Sequence, residues 1–154
     1  MSKKIKVPIE VVSLQEEGFH LFVKGKLNDH SLSLLIDTGA SKTVLDKNFL
    51  SLHFPELKLE SNEQLATGVG NNTIKSEITV IKELSIGELK IAQYEVAVLD
   101  LKHVNDTYSL IALPPIHGVI GCDLLVEYQS AINMKKKSLR LHSPKKKTGK
   151  QNDK

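Results

Sequence analysis

One acidic residue, Asp37, stands in a tight turn directly after an apolar run, and this turn constrains the chain more than any other segment. The run, residues 34–36, has the composition of a buried strand, and Thr38 and Gly39 follow the acid. The turn therefore places the carboxyl group at the end of a strand and not on a solvated face. The sequence contains one copy of the pattern Asp-Thr-Gly. Chemistry that needs two such carboxyl groups would require two identical chains.

The length of 154 residues and the apolar content of 40% fit one domain with one packed core, since domains commonly run roughly 100 to 200 residues. Residues 1–6 are basic, but Glu10, Glu16 and Glu17 interrupt any apolar stretch behind them, so no secretion signal is predicted. No apolar run is long enough to cross a membrane. Cys122 is the single cysteine, which excludes an intrachain disulfide and fits a reducing compartment. We expect a cytoplasmic protein without a membrane partner.

The net charge of +3 is unevenly distributed along the chain. Residues 135–154 contain nine Lys or Arg and one Asp, a balance of +8, so residues 1–134 carry −5 (3 minus 8). The segment 144–154 is rich in lysine and lacks apolar side chains, which predicts a disordered basic tail behind a folded domain at 1–143. Such a tail can touch acidic partners nonspecifically. No aromatic residue is interleaved in it for base stacking, so nucleic acid is not predicted as a partner.

Most of the chain shows β-branched and aromatic residues alternating with polar ones between turn signals, which predicts short strands. Asp46 is predicted to cap a short helix that begins at Lys47, and another short helix is predicted after Gly121. The connection 101–117 is predicted to contain one helical turn. An all-β domain follows, and closure into a barrel would protect its many short edges. The predicted strands are 7–12, 19–27, 32–36, 63–67, 72–84, 88–99, a strand from Gly118 to Gly121, and a closing hairpin of 131–134 with 139–141.

Three segments in a fixed order carry a resemblance to a known family. The Asp37 turn is followed by a second apolar strand at residues 43–45. Residues 66–71 form a glycine-containing segment further along, and Val119, Ile120 and Gly121 close the series, with Gly121 84 positions beyond Asp37. In this order the segments resemble the retropepsin-like, retroviral-type aspartic proteases of the cellular or bacterial type.

The resemblance implies a closed acid-protease barrel of six to eight strands with one or two short helices. It also implies an aspartic-type endopeptidase that hydrolyses peptide bonds as a homodimer. Asp37 would be the catalytic acid, because two carboxyl groups about 3 Å apart cannot both ionise and can share one water molecule. Peptide or protein substrates would then be bound between the two copies.

The resemblance assigns roles to the other residues of the turn. Thr38 would reach across the two-fold axis to the loop of the partner, and Gly39 would leave room for the turn and for substrate backbone. Ala40 cannot donate a hydrogen bond to the carboxylate, so weakly acidic to near-neutral working conditions are expected. Ser41 and Cys122 occupy positions where retroviral relatives have an Asp–Arg ion pair, and a neutral contact is expected in its place.

Two further sets of residues are implied by the same resemblance. Thr67, Gly68, Val69 and Gly70 would form the tip of a flap, a mobile hairpin that closes over the substrate. Val119, Ile120 and Gly121 would form the strand beneath the catalytic turn. The apolar members of that strand, together with Val44 and Ile74, are expected to line substrate pockets.

Neither a metal nor a cofactor is predicted, because the six histidines show no spacing typical of metal ligands. Two other interpretations remain open at this point. The first is a catalytically silent module that keeps the fold and binds a peptide or protein. The second is an enzyme that stays monomeric and inactive until concentration or a partner brings two chains together.

Overall fold

The computed structural model describes residues 3–61 and 76–143. In this part of the chain there are three α-helices, namely α1 (Lys47–His53), α2 (Lys102–Leu110) and α3 (Cys122–Glu127). A 3-10 turn covers Gln15–Glu17. The strands are β1 (Lys3–Pro8), β2 (Glu10–Ser13), β3 (Phe19–Leu27), β4 (His30–Ile36), β5 (Val44–Asp46), β6 (Glu60–Ser61), β7 (Glu77–Ile86), β8 (Leu89–Leu99), β9 (Gly118–Ile120), β10 (Ala131–Asn133) and β11 (Ser138–Ser143).

Six strands close into a barrel. The larger sheet has the order β2-β3-β4-β9-β5-β8-β7-β6, and an additional pairing of β3 with β7 closes the ring between them. At the closing point Lys26 lies opposite Ser85, and the neighbouring Gly25 allows the close approach, since a Cβ atom there would lie 2.8 Å from the Ser85 carbonyl oxygen. Strands β2 and β6 extend the sheet outside the barrel. The predicted all-β barrel of six to eight strands is therefore confirmed.

A second sheet of three strands, in the order β1-β11-β10, packs against the same core. The prediction of one strand over residues 7–12 was wrong, because β1 ends at Pro8 and β2 begins at Glu10 in the other sheet. Pro8 has no backbone N–H to continue the ladder, and Ile9 is buried while its N–H donates to the Lys137 carbonyl at 2.8 Å. Pro8 is tolerated here because β1 is an outer strand of its sheet.

The connection between β8 and β9 contains the nine-residue helix α2, which is longer than the one helical turn predicted from the sequence. The N-cap residue Leu101 makes no side-chain cap, and the Asp100 carboxylate before it accepts a hydrogen bond from the Lys102 N–H at 2.9 Å. Tertiary contacts also hold the helix. The Tyr108 ring packs edge-on against Phe22 with centroids 5.9 Å apart, and its hydroxyl lies 2.6 Å from His20 Nδ1. This helix is additional to the two short helices expected from the sequence.

Helix α1 begins where the sequence predicts. The Asp46 side chain caps it by accepting a hydrogen bond from the Phe49 N–H at 3.3 Å, and the other carboxyl oxygen accepts one from the Leu101 N–H at 2.9 Å. One buried carboxyl thus joins α1 to the segment that follows β8. None of the helices in the described ranges is long and apolar enough to span a membrane.

The interior of the barrel is filled by side chains with no exposed surface. Each contributes about 1.5 to 3 kcal/mol through the transfer of apolar area from water. The strands that carry the candidate site are anchored in this core, so the turns at their ends have fixed starting points. Core residues at 0% exposure are Leu34, Leu45, Leu84, Ile86, Val96, Ile120, Leu124, Leu139 and Leu141.

The fold is expected to lose stability as the pH falls below about 6.5, in part through His117. Burial lowers the pKa of the His117 imidazole from its ordinary 6.5, as do the charges of Lys24 and His53, while Asp46 opposes the shift. Nδ1 of the ring accepts a hydrogen bond from the Ser33 N–H at 2.9 Å, which requires an unprotonated nitrogen. The unfolded chain therefore takes up this proton at a higher pH than the folded chain does. The resulting loss develops between pH 6.5 and the lower folded pKa, and no loss arises above that range.

Urea unfolding at a series of pH values measures this effect. The free energy of unfolding of the wild type should fall more steeply with decreasing pH than that of His117→Asn, whose side-chain oxygen can still accept the bond from Ser33. If the free energy of unfolding falls equally steeply with pH in the two proteins, His117 does not contribute to the pH dependence of stability.

Candidate active site

The Asp37 turn is fixed between two strands. Asp37 follows the last residue of β4, and its N–H donates to the Ile120 carbonyl of β9 at 3.0 Å. The carboxyl oxygen Oδ1 accepts a hydrogen bond from the Gly39 N–H at 2.9 Å, and the Ala40 N–H donates to the Asp37 carbonyl at 3.1 Å. The carboxyl group is therefore oriented by its own turn, at the end of a buried strand as the sequence predicts.

Asp37 itself is partly exposed. Within the ranges that the structure describes, its carboxyl group forms no salt bridge, and Oδ2 has no hydrogen bond to the protein. One carboxyl oxygen is thus held by the turn and the other is available to a water molecule or a ligand. A single chain supplies one such group.

Helix α3 holds the turn from behind. The Cys122 N–H donates to the Ala40 carbonyl at 2.8 Å, and its Sγ contacts the Thr38 carbonyl at 3.1 Å. The Asp123 N–H donates to the Ser41 carbonyl at 3.3 Å. Three carbonyl groups of the turn therefore find donors at the start of α3. None of these three contacts involves a charged side chain.

Gly121 makes this approach possible. A Cβ atom at this position would lie 2.5 Å from the Lys42 carbonyl carbon and 3.0 Å from the Ala40 carbonyl oxygen. Both are backbone atoms, so the turn and the start of α3 could not remain in contact with a larger residue. The predicted Gly121 thus has a packing role that can be read directly from the geometry.

A buried hydrogen-bond network continues from this point. Thr43 donates from Oγ1 to Asp123 Oδ1 at 2.8 Å and accepts the Gly121 N–H at 3.1 Å. The Tyr94 hydroxyl of β8 donates to Asp123 Oδ2 at 3.3 Å. Burial, followed by the negative charges of Asp123 and Glu127, raises the pKa of Tyr94 well above its ordinary value, so the phenol stays protonated as a donor.

Thr43, Asp123 and Tyr94 were not predicted from the sequence as residues of the site. An acidic residue in the first turn of a predicted helix is a signal that could have found Asp123, because carboxylates are favoured there. Tyr94 gives no local signal, since it reaches the site only through the pairing of β8 with β5.

The remaining predicted residues are distributed as follows. Thr38, Gly39 and Ser41 are exposed at the turn, and Val119 is half-buried against the cluster formed by Phe22, Leu101, Tyr108 and Ile116. Ile120 is completely buried in the core, so in this structure it has no surface to offer a substrate. The flap residues Thr67, Gly68, Val69 and Gly70, the strand predicted at 63–67, Ile74 and the tail at 144–154 lie outside the described residues.

No group of three or more His, Cys, Asp or Glu side chains in the described ranges could hold a metal ion. The arrangement therefore offers one oriented carboxyl group on a rigid support. What it can do chemically depends on proton transfer by that group.

Comparisons with known proteins place these features in context. The model of the aspartyl protease family matches residues 23–124, which include the Asp37 turn, β9 and the start of α3. The chain is similar to a retropepsin-like aspartic protease from Rickettsia conorii, with a TM-score of 0.55 and 17% identity over 93% of this chain and 91% of that chain. Comparison with curated protein sequences finds no match.

Two further solved structures have the same likeness. For the retroviral protease-like domain of Ddi1 from Leishmania major, the TM-score is 0.50 with 18% identity, covering 75% of this chain and 82% of that domain. For EIAV protease complexed with the inhibitor HBY-793, the TM-score is 0.49 with 19% identity, covering 80% of this chain and 100% of that chain. The likenesses to the Rickettsia conorii and Leishmania major proteins, with TM-scores of 0.55 and 0.50, show the fold alone at these identities.

Proposed function

Because the chain belongs to the aspartyl protease family and has the retropepsin-like fold, we propose that it is an aspartic endopeptidase that works as a homodimer. The observation that carries the proposal is the Asp37 turn. One oxygen of its carboxyl group is fixed by the Gly39 N–H, the other is available, and the turn is supported by β9 and α3. A second copy of the chain would supply the second carboxyl group.

The chemistry follows from the pairing of the two acids. Two carboxyl groups about 3 Å apart share one proton, because both cannot be ionised at that distance. The ionised Asp37 takes a proton from a water molecule held between the two groups, and that water attacks the peptide carbonyl carbon. The protonated Asp37 donates its proton to the carbonyl oxygen. The two groups titrate as a pair, so their pKa values belong to the dimer and not to either chain.

The substrate class is an extended peptide segment of a protein or peptide. A segment lying across two symmetry-related turns would present its side chains alternately to the two sides. Val119, half-buried beside the catalytic turn, is proposed to contribute apolar surface to a substrate pocket. The flap residues 67–70 are proposed to cover the bound segment.

Strand β10 is proposed as the surface where the second copy binds. Four strands lie at the outer edges of the described sheets, and charges or proline protect three of them from pairing. Strand β1 carries three lysines and Pro8, while β2 and β6 contain Glu10 and Glu60. The sequence of β10 is Ala-Ile-Asn, without charge or proline.

Two exposed apolar side chains flank this strand in the sequence, Val126 at 73% and Met134 at 51% exposure. Helix α3, which supports the Asp37 turn, leads directly into β10. Antiparallel pairing of two β10 strands about a two-fold axis would use the same surface on both copies.

Peptide cleavage tests the proposal. The purified protein is incubated with a diverse mixture of unfolded peptides, and the products are identified by mass spectrometry. Cleavage that is blocked by a hydroxyl-containing mimic of the tetrahedral intermediate supports an aspartic endopeptidase. Peptide binding without any cleavage would instead support a silent binding module.

The single cysteine supports a cytoplasmic location for this activity.

A further inference from the structure

The Asp123 carboxylate accepts hydrogen bonds from three parts of the fold. Its Oδ1 accepts hydrogen bonds from the Thr43 hydroxyl and from the Leu124 N–H, each at 2.8 Å. Its Oδ2 accepts from the Tyr94 hydroxyl at 3.3 Å. These donors belong to the segment before β5, to α3 and to β8. An ionised carboxylate only accepts hydrogen bonds, so the direction of each bond is fixed.

The direction of the Thr43 bond matters for what lies next to it. A hydroxyl group has one proton, and Thr43 gives it to Asp123. Its oxygen is then left to accept the Gly121 N–H at 3.1 Å. Thr43 is 1% exposed, so water cannot replace either partner. The carboxylate therefore determines how the junction of β9 and α3 is held.

We propose that Asp123 is a positioning residue for the reaction of Asp37, acting through Thr43 and the first turn of α3. The proposal rests on the proposed function and goes beyond it by naming what aligns the catalytic turn. Cys122 and Asp123 supply the donors that hold the carbonyl groups of Thr38, Ala40 and Ser41. If the start of α3 shifts, these contacts shift with it, and the Asp37 carboxyl group moves relative to its symmetry mate.

Thr43→Val and Thr43→Ser form a matched pair of variants for the test. Valine has nearly the shape of threonine but leaves the Gly121 N–H without its partner and removes one of the two hydrogen bonds to Asp123 Oδ1, whereas serine keeps the hydroxyl. We expect kcat for peptide cleavage to fall in Thr43→Val on the order of 10- to 100-fold with KM little changed. A misplaced acid affects the chemical step more than substrate binding. Thr43→Ser should restore kcat to near the wild-type value.

Two measurements separate positioning from a general loss of stability. Ile86→Val, in the core on β7 and away from the turn, serves as a control for weakened packing and should keep the wild-type kcat. Hydrogen exchange of the Gly121 amide should accelerate in Thr43→Val and return to normal in Thr43→Ser. In Asp123→Asn the pKa of Tyr94, followed by its ultraviolet absorbance, should fall because a negative charge is removed.

A wild-type kcat in Thr43→Val would overturn the positioning role and leave the proposed function intact, as would a Thr43→Ser variant that is as slow as Thr43→Val. A wild-type protein that cleaves no peptide would overturn both the proposed function and this inference. The kinetic comparison and the cleavage assay thus distinguish the two failures.

Discussion

Asp37→Asn is expected to lower the rate of peptide cleavage by at least about a thousandfold, since general acid–base catalysis contributes on the order of 10² to 10⁴ and both acids of the dimer are lost. The amide oxygen can still accept the hydrogen bond that the Gly39 N–H makes to Oδ1 at 2.9 Å. The shape of the turn is therefore kept while the titratable proton is removed. The free energy of unfolding should stay close to that of the wild type.

Cleavage of the peptide mixture and urea unfolding are measured side by side for this variant. Asp29→Asn, an exposed acid in the turn between β3 and β4, removes the same charge elsewhere and should keep full activity. Equal cleavage by wild type and Asp37→Asn would contradict an aspartic protease mechanism.

Ala131→Lys is expected to separate the dimer and, with it, to remove activity. Ala131 is exposed at the edge of β10 and lies opposite Arg140 of β11, which in turn lies opposite Lys6 of β1. Two new lysines would face this row across the two-fold axis, and like charges at an interface cost several kcal/mol. The dimer dissociation constant should rise on the order of 100-fold, with a matching loss of activity in dilute solution.

Sedimentation at several concentrations measures the dimer dissociation constant, and the peptide cleavage assay measures the activity. Ala131→Glu should weaken self-association less, because each new glutamate is repelled by its counterpart but attracted by the Arg140 row. An equal mixture of Ala131→Lys and Ala131→Glu should regain both dimer and activity through opposite charges. Lys6→Asp, at the far edge of the same sheet, is the control and should remain dimeric. A dimeric, active Ala131→Lys protein would exclude β10 as the interface.

Local signals account for the parts of the fold that the sequence predicted well. Asn28 has a positive φ of 53°, and this Asn-Asp turn between two alternating strands is readable without any tertiary information. The same holds for Asp46, whose side chain caps the helix that follows it. The N-cap residue of helix α2, Leu101, makes no such cap, and the helix depends on the packing of Tyr108 against distant strands, so its length was not predictable from its own residues.

The candidate site also has one part that could be predicted from the sequence and one part that could not. The Asp37 turn could be predicted because strand, acid and glycine are adjacent in sequence. The support behind it could not, because Thr43, Tyr94 and Asp123 meet only when β5 and β8 pair and α3 docks on the turn. Ile120 was expected to line a substrate pocket because it is apolar. An apolar side chain can fill the core or face a substrate, and the sequence does not distinguish the two. In the closed barrel Ile120 is buried in the core.

Mixing wild-type chains with Asp37→Asn chains tests the central claim most directly, namely that two copies share one catalytic site. The two proteins are combined at constant total concentration, allowed to exchange subunits, and assayed for peptide cleavage. A dimer with one intact carboxyl group should be inactive, so activity should fall with the square of the wild-type fraction. Activity that falls in direct proportion to the wild-type fraction would show that each chain acts alone and would contradict this account.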